Sequence, residues 1–197
     1  MEQHVNKVCK IGFYYIFNLK KIRKHMSSQT MNILVHSFIH SHLDYCNSLL
    51  FGIPRYLVHK LQRLQCSAAK LVVDCYDFDT PSISIVRSLH WLPVEFRIKF
   101  KMLLFVYKCL HGMAPSYLAE LITLSSNPRY ALRSGDNLTL AVPRTGLKTF
   151  GNRAFSSAGP VLWNDLPVFI RNAPSLSQFK SQLKTHNFQS RFSLSCV

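Results

Sequence analysis

Acidic side chains are scarce in this chain: nine Asp and Glu stand against 24 Lys and Arg, for a formal net charge of +15. Two Asp never occur side by side, which excludes the paired carboxylates that hold two divalent ions in nucleotidyl transfer. The one local gathering of acids, Asp74, Asp77 and Asp79, breaks the helical periodicity around it and reads as a solvated linker. Glycine is equally sparse, with seven in 197 residues, and no Gly-rich phosphate loop is present. The six cysteines are irregularly spaced, with no Cys-x-x-Cys pair, so a zinc knuckle has no ligands and reduced thiols are expected. Long apolar runs are missing too. Ile11 to Phe17 is stopped by Lys20 and Lys21, and Met102 to Tyr107 falls far short of the roughly 20 residues that span a bilayer. The expectation is an intracellular protein, nuclear or cytoplasmic, with no membrane partner and no small-molecule substrate.

What is present is a 48% hydrophobic composition, enough for a packed core, with cations distributed along the whole length. Such an excess of positive charge favours polyanions, because each neutralised phosphate releases condensed counterions.

Helical spacing organises the first third. Val8, Ile11, Tyr15, Leu19 and Ile22 recur on one side of a helix, while Lys7, Lys10, Tyr14, Phe17, Lys21 and Lys24 share the other. Mixed cations and rings suit a nucleic-acid strand; the alternative is a solvated basic face whose rings tuck against a neighbour. Ser27 or Ser28 is placed to cap a second helix with Met31, Val35, Phe38, His42, Tyr45 and Leu49 on one face. Pro54 opens a third, in which Leu57, Leu61, Leu64, Ala68 and Leu71 form a seam opposite Arg55, His59, Gln62, Arg63 and Lys70. His36 and His40 sit one turn apart but lack further ligands, and read as packed or surface histidines.

After a break near residues 74–80, Thr80-Pro81 predicts a short helix to Leu89, and Pro93 with Glu95 a buried helix to about Leu110. Arg97, Lys101 and Lys108 align on one narrow strip, to reach a groove or to snorkel to the helix edge, the edge being favoured. Residues 125–146 are polar and punctuated, a loop that could contain a strand pair at Leu138-Val142; Arg129, Arg133, Arg144, Lys148 and Arg153 gather in and after it as a second candidate phosphate surface. Trp163 reads as a core anchor, and Ser175 to Gln178 as a capping box opening a last helix. The resulting expectation is a mainly α protein. A three-helix bundle fills residues 1–76 and a connector 77–92; a helical module with a loop-rich interior or short β-hairpin follows at 93–188, then a disordered tail from 189 to 197.

Ordered phrases run through the chain: Leu43-Asp44-Tyr45-Cys46-Asn47-Ser48-Leu49-Leu50-Phe51-Gly52-Ile53-Pro54, Lys60-Leu61-Gln62-Arg63-Leu64-Gln65, His90-Trp91-Leu92-Pro93-Val94-Glu95, Leu110-His111-Gly112-Met113-Ala114-Pro115, Val142-Pro143-Arg144-Thr145-Gly146 through Phe155, and Leu162-Trp163-Asn164-Asp165-Leu166-Pro167. Together, over about residues 4 to 188, they resemble the segment downstream of the polymerase core in non-LTR retrotransposon (LINE-type) reverse transcriptases. The resemblance implies a thumb, gripping template and primer, in the first third, with the pattern already under way at Met1, as in a truncated element copy. It implies a non-catalytic fragment with no catalytic, cofactor-binding or metal residues, binding RNA or an RNA/DNA duplex with little sequence specificity. Alternatives are a helical protein-interaction module that docks its Leu57–Leu71 seam and aromatic-rich second half onto a polymerase core, or a transposon remnant with no selected function.

Overall fold

The computed structural model describes residues 1–75, 80–125, 138–147 and 149–192. Helix dominates throughout: α1 (Glu2–Ile22), α2 (Ser28–Val35), a π turn (His36–His40) running into α3 (Ser41–Asp44), α4 (Arg55–Val73), α5 (Ser82–Ser88), α6 (Val94–Leu110), α7 (Ser116–Ala119), α8 (Phe155–Asn164), α9 (Val168–Arg171) and α10 (Leu176–Phe192). The chain is thus mainly α, as its periodicities predict. Ile85, Val86 and Trp91, from the stretch read as a connector, belong to the first hydrophobic cluster together with Val94 and Ile98 of α6, and the boundary between two compact units falls inside α6, after Ile98. A helix that is apolar around most of its circumference can serve two cores in succession.

In the first unit α1 buries Val5, Val8, Gly12 and Leu19. Ile22, predicted to join them, is 39% exposed because the chain tightens into a 3-10 turn at Arg23–His25. Gly12 marks a close crossing: a Cβ there would lie 2.5 Å from Leu64 Cδ2 of α4. Ser27 caps α2, its hydroxyl accepting from the Thr30 amide at 3.1 Å. The buried residues that follow are Met31, Val35, Ile39, His40 and Leu43, which replaces the predicted face containing Phe38, Tyr45 and Leu49. The wider π turn explains the shift, since an extra residue per turn holds a four-residue spacing on one side. Tyr45 then leaves the helix and Cys46 adopts φ 51°, so Tyr45 and Leu49 project outward.

α4 starts immediately after Pro54, and Leu57, Leu61, Leu64, Ala68 and Leu71 are at most 2% exposed. That seam is spent inside the chain, which corrects its assignment as a docking surface. The end of α4 is held by Arg23, itself only 9% exposed. Its guanidinium donates to the carbonyls of Leu71 (2.9 Å) and Val72 (3.1 Å), to that of Met26 (2.8 Å) and to Ser28 Oγ (3.1 Å). Among the described residues no carboxylate takes part; the partial negative charge of the helix C-terminus does that work. Asp74 closes the helix in the left-handed region, φ 58°.

A polar cluster joins α3 and α4 to the start of α6 and the residues just before it. Arg97 donates to both Asp44 oxygens (2.9 and 2.6 Å), Gln65 to the Leu92 carbonyl (2.9 Å), and Gln62 accepts from the Val94 amide (2.9 Å). Arg97 therefore turns inward to a carboxylate and does not join an edge strip with Lys101 and Lys108. His40 is buried edge-on against Trp91, with centroids 4.3 Å apart, and its Nδ1 lies 3.0 Å from His36 Nδ1.

In the second unit Tyr107, Trp163, Ile170, Phe179 and Leu183 form the core. Tyr107 stacks on Phe179 at 4.3 Å and donates to the Ala173 carbonyl at 2.9 Å. Trp163, fully buried one residue before α8 ends, donates to the Leu138 carbonyl at 2.7 Å, and Asn164 pairs twice with the Leu140 backbone. In place of the predicted alternation at Leu138-Val142, the described residues show a single antiparallel bridge, Leu124 with Leu140. Asn164 saturates the Leu140 backbone on its other edge, which prevents a further strand from pairing there. Phe150 is followed by a 3-10 turn at Gly151–Arg153, and α8 begins at Phe155. Ser175 Oγ accepts from the Gln178 amide at 3.3 Å, as the capping pattern predicts. α10 extends through the buried Phe192, past the predicted start of the tail.

Two consequences can be measured. Arg23→Met should lower the unfolding free energy by about 2–4 kcal/mol in urea, because two helix-end carbonyls lose their donors; a change below about 0.5 kcal/mol would show that the cap is dispensable. His40 has its pKa pushed from 6.5 to about 2, by burial first and then by the Arg97 cation and His36. The unfolded chain takes up a proton near pH 6.5 that the folded chain refuses, so the His40 contribution is complete above pH 6.5 and declines below it. Stability should drop by roughly 2 kcal/mol between pH 7.5 and pH 5 from this group alone, at about 1.4 kcal/mol per pH unit below the unfolded pKa. His40→Phe should lose that part of the slope; identical pH profiles for the two proteins would contradict the assignment.

Candidate nucleic-acid interface

The outward side of α1 carries the first group of candidate residues. On a helix advancing 100° per residue, positions 7, 10, 14, 17 and 21 fall within an arc of about 80°, opposite the buried Val8, Gly12 and Leu19. Lys7, Lys10, Tyr14, Phe17 and Lys21 are all exposed, with Tyr14 at 64% and Phe17 at 61%. The row spans ~21 Å from Lys7 to Lys21. Among the described residues none of Lys7, Lys10, Lys21 and Lys24 is paired with a carboxylate, whereas Lys60 and Arg97 reach Glu2 and Asp44. Lys21 Nζ sits 4.4 Å above the Phe17 ring, a cation–π contact between neighbours on the row. Lys24 is exposed but belongs to the 3-10 turn after α1, so it continues the charge without continuing the helical register.

Beside this row, Lys10, Ile11, Tyr14, Tyr15 and His42 line a groove of about 460 Å³. Its wall is aromatic. Tyr15 stacks on Phe38 (5.2 Å, 29°) and on His42 (5.9 Å, 20°), two residues one turn apart on the π turn and α3. Tyr14 meets Tyr15 edge-on at 5.8 Å and 64°. Tyr15 is thereby held on both its neighbours, and the more exposed Tyr14 stands against it. Sequence periodicity gives Tyr15, Phe38 and His42 to apolar faces; Tyr15 does pack, partly buried, against the first hydrophobic cluster, whereas Phe38 is exposed and His42 half-buried beside the groove. Only the π turn, which rotates positions 38 and 42 out of the apolar face, produces this, and no composition or spacing signal marks it.

The basic face of α4 is organised separately. His59, Arg63, Cys66 and Lys70 line a groove of about 330 Å³ together with Ser82 of α5. Arg63 and His59 are exposed and Lys70 is half-buried. Arg55, exposed at the helix start, is not among the lining residues. The two grooves share no residue. In the second unit Arg144 is exposed and Arg153 half-buried in the 3-10 turn; Arg129, Arg133 and Lys148 lie outside the described residues. The candidates therefore resolve into a row with an adjoining groove on α1, a groove on α4, and Arg144 and Arg153 in the second unit.

Among the described residues no three His, Cys, Asp or Glu side chains converge as metal ligands. Asp74 caps α4, while Asp77 and Asp79 lie outside the described residues. Cys9, Cys46, Cys66, Cys75 and Cys109 are unbridged. No helix among the described residues is long and apolar enough to cross a membrane. Compared with protein-family models, with curated proteins and with solved structures, the chain matches none of them.

Proposed function

We propose that this chain is the post-catalytic part, thumb plus C-terminal module, of a LINE-type reverse transcriptase, and that it binds RNA or an RNA/DNA duplex through basic helix faces without copying it. The observation that carries the reading is the row of Lys7, Lys10 and Lys21, unpaired with acids and interleaved with exposed rings, on a helix whose opposite side is fixed in the core. A rigid helix sets ammonium groups at regular intervals along a backbone of phosphates, and rings between them add contacts that do not depend on base identity. The ordered phrases between Leu43 and Pro167 supply the family part of the proposal. The polymerase core of an intact element protein is the second partner it implies.

The test is a salt titration with a short RNA hairpin. The observed association constant should fall steeply with salt, and changing Lys7, Lys10 and Lys21 together to Gln should reduce the log–log slope by about 2 to 3, at roughly 0.7 to 0.9 per phosphate contact. A slope near zero in the unmodified protein, or an unchanged slope in the triple variant, would overturn the assignment of this face.

A further inference from the structure

The groove beside the basic row has a composition that phosphate binding alone does not call for. Its accessible surface is mainly ring and methyl: Ile11, Tyr14 and Tyr15 on α1 and His42 on α3, with Lys10 as the cation at its edge. A site for phosphate only would be served by the lysines. An exposed aromatic wall is instead matched by a flat, apolar face.

Resting on the nucleic-acid reading above, we propose that this groove receives the unpaired base of a single-stranded segment, stacked on Tyr14, with Lys10 on the adjoining phosphate. Three observations carry it. Tyr14 has 64% of its surface open. Its orientation is set by the edge contact with Tyr15, and Tyr15 is in turn clamped over Phe38 and His42, so the ring is presented at little conformational cost. A volume of about 460 Å³ accommodates one nucleotide. Bases inside a duplex keep their faces stacked on each other and offer only their edges; an unpaired base offers the face this wall needs. The consequence is a preference: the basic row grips any phosphate backbone, and the groove favours strands with bases to spare.

The full chain would be titrated with a fluorescent RNA of about ten uridines and with a sugar-phosphate strand of equal length and charge that carries no bases. The base-bearing strand should bind about tenfold more tightly. Tyr14→Phe should keep that ratio, and Tyr14→Leu should bring it close to one while leaving the salt slope as it was. Equal binding of both strands with the salt dependence intact would overturn the groove and leave the phosphate-binding reading standing. Loss of binding to both strands by the unmodified protein would overturn the two together. Full discrimination in Tyr14→Leu would remove Tyr14 from the site. If Tyr14→Leu fails to give the helical circular dichroism spectrum of the unmodified chain, the comparison of the two strands on the unmodified and Tyr14→Phe proteins still decides.

Discussion

Everything exposed on the first unit depends on how Arg23 is buried. A guanidinium 9% exposed and, among the described residues, without a carboxylate partner would be costly on its own, but here it is spent on four acceptors that all need a donor. Two are carbonyls at the end of α4, one is the Met26 carbonyl, and one is the hydroxyl of Ser28 at the start of α2. A single planar group thus ties the exit of α1, the entry of α2 and the end of α4 at one point. With Gly12 against Leu64 further along, α1 is fixed at two places along α4, and its rotation about its own axis is no longer adjustable. The lysine row faces outward because the opposite side has nowhere else to go.

The polar cluster around His40 plays the same part for the other end of the unit. Asp44 holds Arg97, Trp91 covers His40 and His36, and Gln62 and Gln65 take the backbone at Leu92 and Val94. Residues just before α6 are thereby attached to α3 and α4, and α6 begins from a defined position. Buried polar groups specify a single arrangement when their partners are present and destabilise the alternatives when they are not. This explains why residues that look like a connector in one dimension belong to the core in three.

The sequence makes the helices legible and leaves the tertiary exceptions hidden. α1, α4 and α6 have long periodic patterns, and their extents agree with prediction to within a residue or two at most ends. The second helix does not, because a π turn changes the spacing at His36–His40 and swaps Phe38 for Ile39 on the buried side. That one irregularity also conceals the groove, since Phe38 and His42 become its supports only after the swap. Arg23 is invisible for a different reason: a basic residue among Lys20, Lys21 and Lys24 looks solvated, and only contacts 48 and 49 residues away reveal otherwise. The exposed lysines and Tyr14, by contrast, are read correctly from spacing alone, because an amphipathic helix with a committed core face leaves its other face no choice.

The central claim is that the outward face of α1 is where a nucleic-acid strand lies. Lysine footprinting reads this directly, by acetylating the protein with and without an RNA that carries both a stem and an unpaired segment and following each lysine by mass spectrometry. The account predicts protection concentrated at Lys7, Lys10 and Lys21, with Lys180 and Lys184 of α10 modified as in the unbound protein. Protection confined to α10, or acetylation of the α1 lysines unaltered at saturating RNA, would contradict it.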